Sequence, residues 1–202
     1  MALVKRTRKQ SALAQAIAEF YPRPGEWTEE DYLTFSDTSR IVELSDGTVE
    51  VPEMPTDPHQ LAVNRLLFFL MLYLDTHKRG RVRTAPLPVR LWPGKFREPD
   101  LVFMLNEHAD RIEVEYWGVP DLAVEVHSPG TRRTDRTKKK KEYAQAGITE
   151  YWMADYKAET IEVCRLAGDA YELRAKFGAE DTLTSEMLPG FELKIAEVFA
   201  EE

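Results

Sequence analysis

Residues 121–127 of this 202-residue chain, Asp-Leu-Ala-Val-Glu-Val-His, decide the fold. A short apolar run of this kind predicts a buried strand. Glu125 interrupts the run, and an acid among apolar residues on a strand needs a partner that offsets its burial.

A second strand is predicted over residues 100–105, where Asp100 precedes an apolar run. If the two strands pair antiparallel with Met104 opposite Asp121, then Asp100 falls opposite Glu125. Directly opposed residues point to the same face of a sheet, with Cβ atoms about 4.5–5.5 Å apart. Two carboxylates at that distance repel each other unless a positive charge lies between them. Mg²⁺ is typically held by one or two carboxylates, so Asp100 and Glu125 are candidate metal ligands. The alternative is a Glu125 paired with an arginine at a sheet edge.

The helix predicted after this strand, over residues 136–146, adds a basic group. If Tyr143 faces the sheet, Lys139 lies on the same side, four residues earlier. A lysine beside metal-bound water and a phosphate can position the nucleophile or stabilise developing negative charge. The alternative is a solvated lysine whose stem packs on the sheet. Lys140 flanks the sheet-facing side, whereas Lys138 and Lys141 point away from it.

The remaining patterns predict an α+β domain with a central sheet flanked by helices. An Asp46-Gly47 turn predicts a hairpin between residues 40–44 and 48–51. Further strands are predicted over 82–84, 87–92, 150–155, 160–166 and 170–176, and helices over 27–33, 59–75 and 195–200. We expect residues 1–24 to form an N-terminal arm, with a short helix over 12–20, and residues 25–202 to form a single domain.

The composition is that of an ordinary globular protein, with 43% hydrophobic and 31% charged residues. It excludes disordered chains, collagen-like repeats and disulfide scaffolds. The single cysteine, Cys164, cannot form an internal disulfide, which favours the cytoplasm. No apolar run approaches the roughly 20 residues of a membrane helix, so no association with a membrane is expected.

The charge is unevenly distributed along the chain. The net charge is −8, from 27 basic and 35 acidic side chains. Residues 132–141 contain seven basic side chains and one acid, Asp135, which leaves about −14 on the rest of the chain. We call residues 132–141 the basic strip; it could bind a polyanion locally, or it could be a solvated start of a helix. The candidate nucleic-acid contacts are Arg132, Arg133, Arg136, Lys138 and Lys140.

Several of these motifs, taken in order, resemble the Uma2 family, a branch of the PD-(D/E)xK nuclease superfamily. The resemblance rests on residues 97–102 (Arg-Glu-Pro-Asp-Leu-Val), 120–129, 131–136 and 143–152, with further matches at 40–47, at His59 and at 188–191. It extends from about residue 27 to residue 199.

The resemblance implies a restriction-endonuclease-like core with a central mixed sheet, and Mg²⁺-dependent hydrolysis of DNA phosphodiester bonds, for which Mn²⁺ is a possible substitute. By position, Asp100 and Glu125 would be the metal-binding acids, with the Val126 carbonyl as a further ligand. Glu43 would be an additional catalytic acid near the site. The superfamily places a lysine two residues after the second acid, where this chain has His127, and a lysine on the next helix, Lys139, would replace it.

Some expectations stay open at this point. His127 could touch the metal or the phosphate, or it could simply be hydrogen-bonded at the end of its strand. A homodimer is expected, because cutting both strands of a duplex usually requires two active sites. The alternatives to a DNA endonuclease are a catalytically weak or silent nucleic-acid-binding scaffold of the same fold and a metal phosphoesterase for small substrates.

Overall fold

The computed structural model describes residues 21–36, 41–128 and 130–200. Helix α3 covers residues 132–146 in three parts: an α-helical turn Arg132–Thr134, a π-helical turn Asp135–Lys139 and an α-helical part Lys140–Ala146. The other elements, in chain order, are α1 (Glu29–Ser36), β1 (Glu43–Ser45), β2 (Thr48–Glu50), α2 (Asp57–His77), β3 (Gly80–Thr84), β4 (Val89–Trp92), β5 (Lys95–Arg97), β6 (Leu101–Leu105), a 3₁₀ helix (Asn106–Arg111), β7 (Leu122–His127), β8 (Glu150–Asp155), β9 (Thr160–Ala167), β10 (Ala170–Phe177), β11 (Thr182–Thr184), β12 (Glu192–Lys194) and α4 (Ile195–Phe199).

A six-stranded sheet in the order β10-β9-β8-β7-β6-β3 lies at the centre of the fold. Strand β7 pairs antiparallel with β6 and parallel with β8, so the sheet is mixed. The predicted α+β class, with a central mixed sheet flanked by helices, is confirmed.

The predicted register between the two site strands is also confirmed. Leu101 lies opposite Val124, and Phe103 lies opposite Leu122. The same register, continued by one pair beyond β6, places Asp100 opposite Glu125.

Apolar side chains cover both faces of the central sheet. Leu122 and Val124 of β7 pack into the core that contains Leu66 of helix α2, whereas Ala123 packs into the core that contains Tyr143 of helix α3. Because side chains alternate along a strand, Glu125 shares the face of Ala123 and is covered by α3.

A second sheet, in the order β2-β1-β5-β4, lies beside the site. Its β1–β2 hairpin turns at Asp46 and Gly47, both with positive φ (50° and 74°), as the Asp-Gly pair predicts. Strand β5 was not predicted, because Lys-Phe-Arg has no apolar alternation from which to recognise a strand. It is nevertheless fully buried, since its basic side chains meet acidic partners.

Other differences from the sequence predictions concern the ends of elements and a few short elements. Helix α3 begins at Arg132, four residues earlier than predicted, and the short strands β11 and β12 were not predicted. The predicted helix over 12–20 lies outside the described residues, and the division into an arm and a domain stays a prediction. No helix in the described part of the chain has the length and apolarity needed to span a membrane.

Candidate active site

Asp100 lies immediately before β6, at the point where β6, β7 and the start of helix α2 meet. Its Oδ2 accepts a hydrogen bond from the Val126 amide at 2.7 Å. The same oxygen lies 3.3 Å from His59 Nε2. The carboxylate is therefore fixed across the β6–β7 pair and against helix α2.

Glu125 lies inside β7 and is 4% exposed, so its charge depends on protein partners. Its Oε1 accepts hydrogen bonds from the Tyr143 hydroxyl at 2.6 Å and from Lys139 Nζ at 2.9 Å. Both partners come from helix α3, as the spacing of four residues predicts. The arginine partner considered as an alternative is not what the structure shows: the cation at Glu125 is a lysine.

Burial and neighbouring charges act in opposite directions on this pair. Burial raises the pKa of Glu125 above its usual range; the Lys139 charge opposes the rise, and the charges of Asp135 and Asp100 add to it. For Lys139, burial alone lowers the pKa, but the carboxylates of Glu125, Glu43 and Asp135 outweigh it, so the pKa is raised. Three surrounding acids therefore keep the ammonium charged.

Glu43, on β1, connects this pair to a buried arginine. Its Oε1 lies 3.2 Å from Lys139 Nζ, and its Oε2 lies 2.6 Å from an Nη of Arg97, which is fully buried. Arg97 also contacts Glu142 of α3 at 2.7 Å and Glu50 of β2 at 2.8 Å. The acid predicted near the site thus lies beside the lysine, although the sequence analysis missed Arg97 and Glu142.

His127, two residues after Glu125 on β7, is buried and turned toward helix α3. Its Nδ1 lies 3.0 Å from Asp135 Oδ2. Of the two roles left open for His127, the structure shows the hydrogen-bonded one.

A narrow cleft of about 50 Å³ collects the candidate residues. Both predicted acids line it together with Val126 and Lys139, and so do His59 and Glu98, which the sequence analysis did not assign to the site. One buried nitrogen of His59 (Nδ1) and one buried oxygen of Glu98 (Oε2) have no hydrogen-bond partner. The pKa of Glu98 is raised to about 7, because burial and the Glu43 charge raise it more than the hydrogen bond from the Val42 amide lowers it.

The residues present fit a hard divalent cation bound by few protein groups. In and beside the cleft, five buried carboxylates outnumber three buried cations: Glu43, Glu98, Glu125, Asp135 and Glu142 against Lys95, Arg97 and Lys139. Within the described residues, no group of three or more His, Cys, Asp or Glu side chains is arranged to hold a metal ion. The predicted donor set of two carboxylates and a carbonyl is of the kind that suits Mg²⁺, which keeps several of its waters.

The basic strip is distributed around helix α3 and does not form a single face. Arg132 pairs with Asp155, Arg136 with Glu162 and Lys138 with Glu50. Lys140 is half-buried beside the Cys164 thiol. Arg133 and Lys141 are exposed and form no ion pair with the described part of the chain.

The sequence carries little sign that Arg97 and Glu142 belong to the site. Arg97 and Glu142 are 45 positions apart in the chain and carry charges that are usually solvated. The only available signal was the position of Arg97 three residues before Asp100, within a motif that also carries Glu98 and Pro99.

Comparison with known proteins agrees with the resemblance. Residues 29–196 match the model of the Uma2 family, described as "Putative restriction endonuclease". A crystal structure of a "putative nuclease belonging to DUF820" from Anabaena variabilis ATCC 29413 matches with a TM-score of 0.70 at 18% identity, covering 85% of this chain and 97% of that chain. At that identity the likeness shows the shared fold alone. No curated protein matches the chain significantly.

The family match includes both strands of the cleft and the helix that carries Lys139, and it spans most of the chain. The protein therefore belongs to the Uma2 family.

Proposed function

We propose that the protein is a Mg²⁺-dependent endonuclease that hydrolyses DNA phosphodiester bonds. The observation that carries the proposal is the shared cleft of Asp100, Glu125 and Lys139, which come from three separate segments of the chain. The family description supports a nucleic acid as the substrate.

The carboxylates of Asp100 and Glu125 and the carbonyl of Val126 would hold the ion, and Mn²⁺ could take its place. In an antiparallel pair, the N–H and C=O of one residue point toward the same neighbouring strand. Because the Val126 amide donates to Asp100, its carbonyl points to the same side. When bound, Mg²⁺ supplies an activated water and offsets the charge that develops on the phosphate.

Lys139 supplies a fixed positive charge at the same place. Its side chain is 10% exposed, and the ammonium lies between Glu125 and Glu43, so it is oriented before any substrate binds. From there it can donate a hydrogen bond to the attacking water or to a phosphate oxygen. A preoriented cation in a site with little water stabilises the transition state more than a mobile one does.

The cleft is too small to enclose a nucleotide, so the phosphate must approach its mouth. The exposed side chains of the basic strip supply phosphate contacts, which carry no sequence information. A homodimer remains part of the proposal, because two sites can cut the two strands of a duplex.

The test is a plasmid-cleavage assay with Mg²⁺ or Mn²⁺ alongside calorimetric titration of the same ions. Asp100→Asn and Glu125→Gln should lose ion binding and lower the cleavage rate by about 10²-fold or more. Lys139→Met should lower the rate to a similar extent and retain ion binding. Lys157→Met, which removes an exposed lysine between β8 and β9, is the control and should cleave at the wild-type rate.

Two results would replace the proposal. If neither ion binds or stabilises the wild type, the chain is a non-catalytic scaffold of this fold. If bis(p-nitrophenyl) phosphate is hydrolysed and DNA is not, the protein is a phosphoesterase for small substrates.

A further inference from the structure

Asp135 is a fully buried carboxylate that does not line the cleft but reaches the proposed catalytic lysine. Its Oδ1 lies 3.7 Å from Lys139 Nζ, and its Oδ2 lies 3.0 Å from His127 Nδ1. It therefore lies between the lysine and the histidine.

The backbone of Asp135 is fixed independently of Lys139. Its amide donates to the Thr131 carbonyl at 3.0 Å, and its carbonyl accepts from the Tyr151 hydroxyl at 3.2 Å. The same carbonyl accepts from the Lys140 amide, five residues on, in the π-helical turn. π-Helical turns are rare and occur frequently at functional sites. Bonds within helix α3 and one bond from Tyr151 of β8 thus hold the backbone of Asp135 in place.

Lys139 needs such an anchor because its other two partners have competing tasks. Glu125 is a proposed metal ligand, and a cation bound there would repel the Lys139 ammonium, which lies 2.9 Å from Glu125 Oε1. Glu43 is shared with Arg97, which contacts its other oxygen at 2.6 Å. Asp135 neither lines the cleft nor contacts Arg97, so its attraction for the ammonium survives ion binding.

We propose that Asp135 is a positioning residue that holds the Lys139 ammonium at the cleft, and that His127 holds Asp135 in turn. The inference rests on the proposed function of Lys139. It gives His127 an indirect role: the histidine orients the acid that orients the lysine.

The test is the Asp135→Asn substitution, which keeps the size of the side chain and removes its charge. In the metal-free protein, the ¹H–¹⁵N resonance of the Lys139 ammonium should be observable in the wild type, because the group is buried and hydrogen-bonded, and should broaden beyond detection in the variant. Where cleavage is measured, kcat should fall about 10- to 100-fold, the loss expected for a misplaced catalytic group. KM for DNA and the affinity for Mg²⁺ should stay within about twofold, since the cleft acids are unchanged.

Asp121→Asn is the matched control. Asp121 is also a buried acid beside a histidine, with Oδ1 2.7 Å from His108 Nδ1 and Oδ2 accepting the Leu105 amide, but it lies at the opposite end of β7. Its substitution should leave the Lys139 resonance and kcat unchanged. The His127→Asn variant should weaken the resonance partly, and adding it to Asp135→Asn should cause little further loss, because both act through one contact.

A sharp Lys139 resonance and wild-type kcat in Asp135→Asn would overturn the inference, and so would equal losses in Asp121→Asn. If Asp135→Asn fails to fold, His127→Asn decides the question, and an unchanged resonance there counts against the inference. If the wild type cleaves nothing, the proposed function fails, while the Lys139 resonance still decides whether Asp135 positions the lysine.

Discussion

At the scale of single residues, Glu125 shows how this fold keeps a carboxylate inside a sheet. The Tyr143 hydroxyl and the Lys139 ammonium both donate to one of its oxygens. A buried charge is tolerated only with such partners, because the loss of hydration otherwise exceeds the gain from burial. The same two donors place Glu125 under helix α3 and beside the cleft.

The Tyr143→Phe substitution tests this arrangement. It removes the 2.6 Å hydrogen bond to a charged acceptor, and we expect the free energy of unfolding to fall by about 1.5–3 kcal/mol, measured by urea denaturation. Tyr171→Phe removes a bond to the neutral carbonyl of Ile148 and should lower it by only about 0.5–1.5 kcal/mol. Equal losses in the two variants would show that Glu125 does not depend on its tyrosine.

At the scale of elements, the small sheet and helix α3 are held together by charge. Arg97 of β5 reaches Glu43 of β1, Glu50 of β2 and Glu142 of α3. Burial raises the pKa of Glu50, but hydrogen bonds from Lys138 and Arg97 outweigh it and lower the pKa to about 2. Burial likewise raises the pKa of Glu142, but hydrogen bonds from Arg97 and Lys95 outweigh it and lower that pKa.

This network predicts a loss of stability in acid. A carboxyl group whose pKa is lower in the folded state stabilises the fold at neutral pH, and its contribution disappears as the pH falls through about 4.5 toward 2. Glu50→Gln should therefore lower the free energy of unfolding by on the order of 1 kcal/mol at pH 7, a value reduced by the partial exposure of Glu50, and by much less at pH 3. Urea denaturation at both pH values measures the difference.

Glu172→Gln is the control for this prediction, because the ion pair of Glu172 with Arg174 is exposed. It should change the stability by no more than a few tenths of a kcal/mol at either pH. A Glu50→Gln effect that is as large at pH 3 as at pH 7 would contradict the role given to its charge.

At the scale of the whole molecule, an acidic body carries a small number of available basic groups. The net charge is −8, and three members of the basic strip are already paired with acids on β2, β8 and β9. Under the proposed function, DNA would have to compete with these ion pairs or use the exposed Arg133 and Lys141. We expect fewer phosphate contacts than the seven basic residues would allow.

The salt dependence of DNA binding measures the number of phosphate contacts. About three phosphate contacts, from Arg133, Lys141 and the half-buried Lys140, should give a slope of about −3 in a plot of log K against log[NaCl]. Arg133→Gln should make the slope shallower by about one, whereas Arg174→Gln, an exposed arginine on β10, should leave it unchanged. An affinity that does not respond to salt would remove the basic strip from the proposed function.

Much of this protein could be predicted from its sequence. The α+β class and the inward direction of Lys139 follow from patterns that repeat over two to four residues. The register that places Asp100 opposite Glu125 was a conditional hypothesis, which the observed strand pairing confirms. Such patterns are local, because strand alternation and helix periodicity are properties of the backbone itself. The Asp-Gly hairpin belongs to the same group, since its geometry depends on two adjacent residues.

Only the tertiary structure decided which partners surround those residues. Arg97, Glu142 and Asp135 were not assigned to the site, because a charged side chain in a sequence is normally solvated and its burial depends on partners from distant segments. The role of His127 was decided by a helix that begins five residues later and brings Asp135 back over the strand. Backbone geometry is encoded over a few neighbouring residues, whereas the pairing of buried charges depends on how whole elements pack against one another.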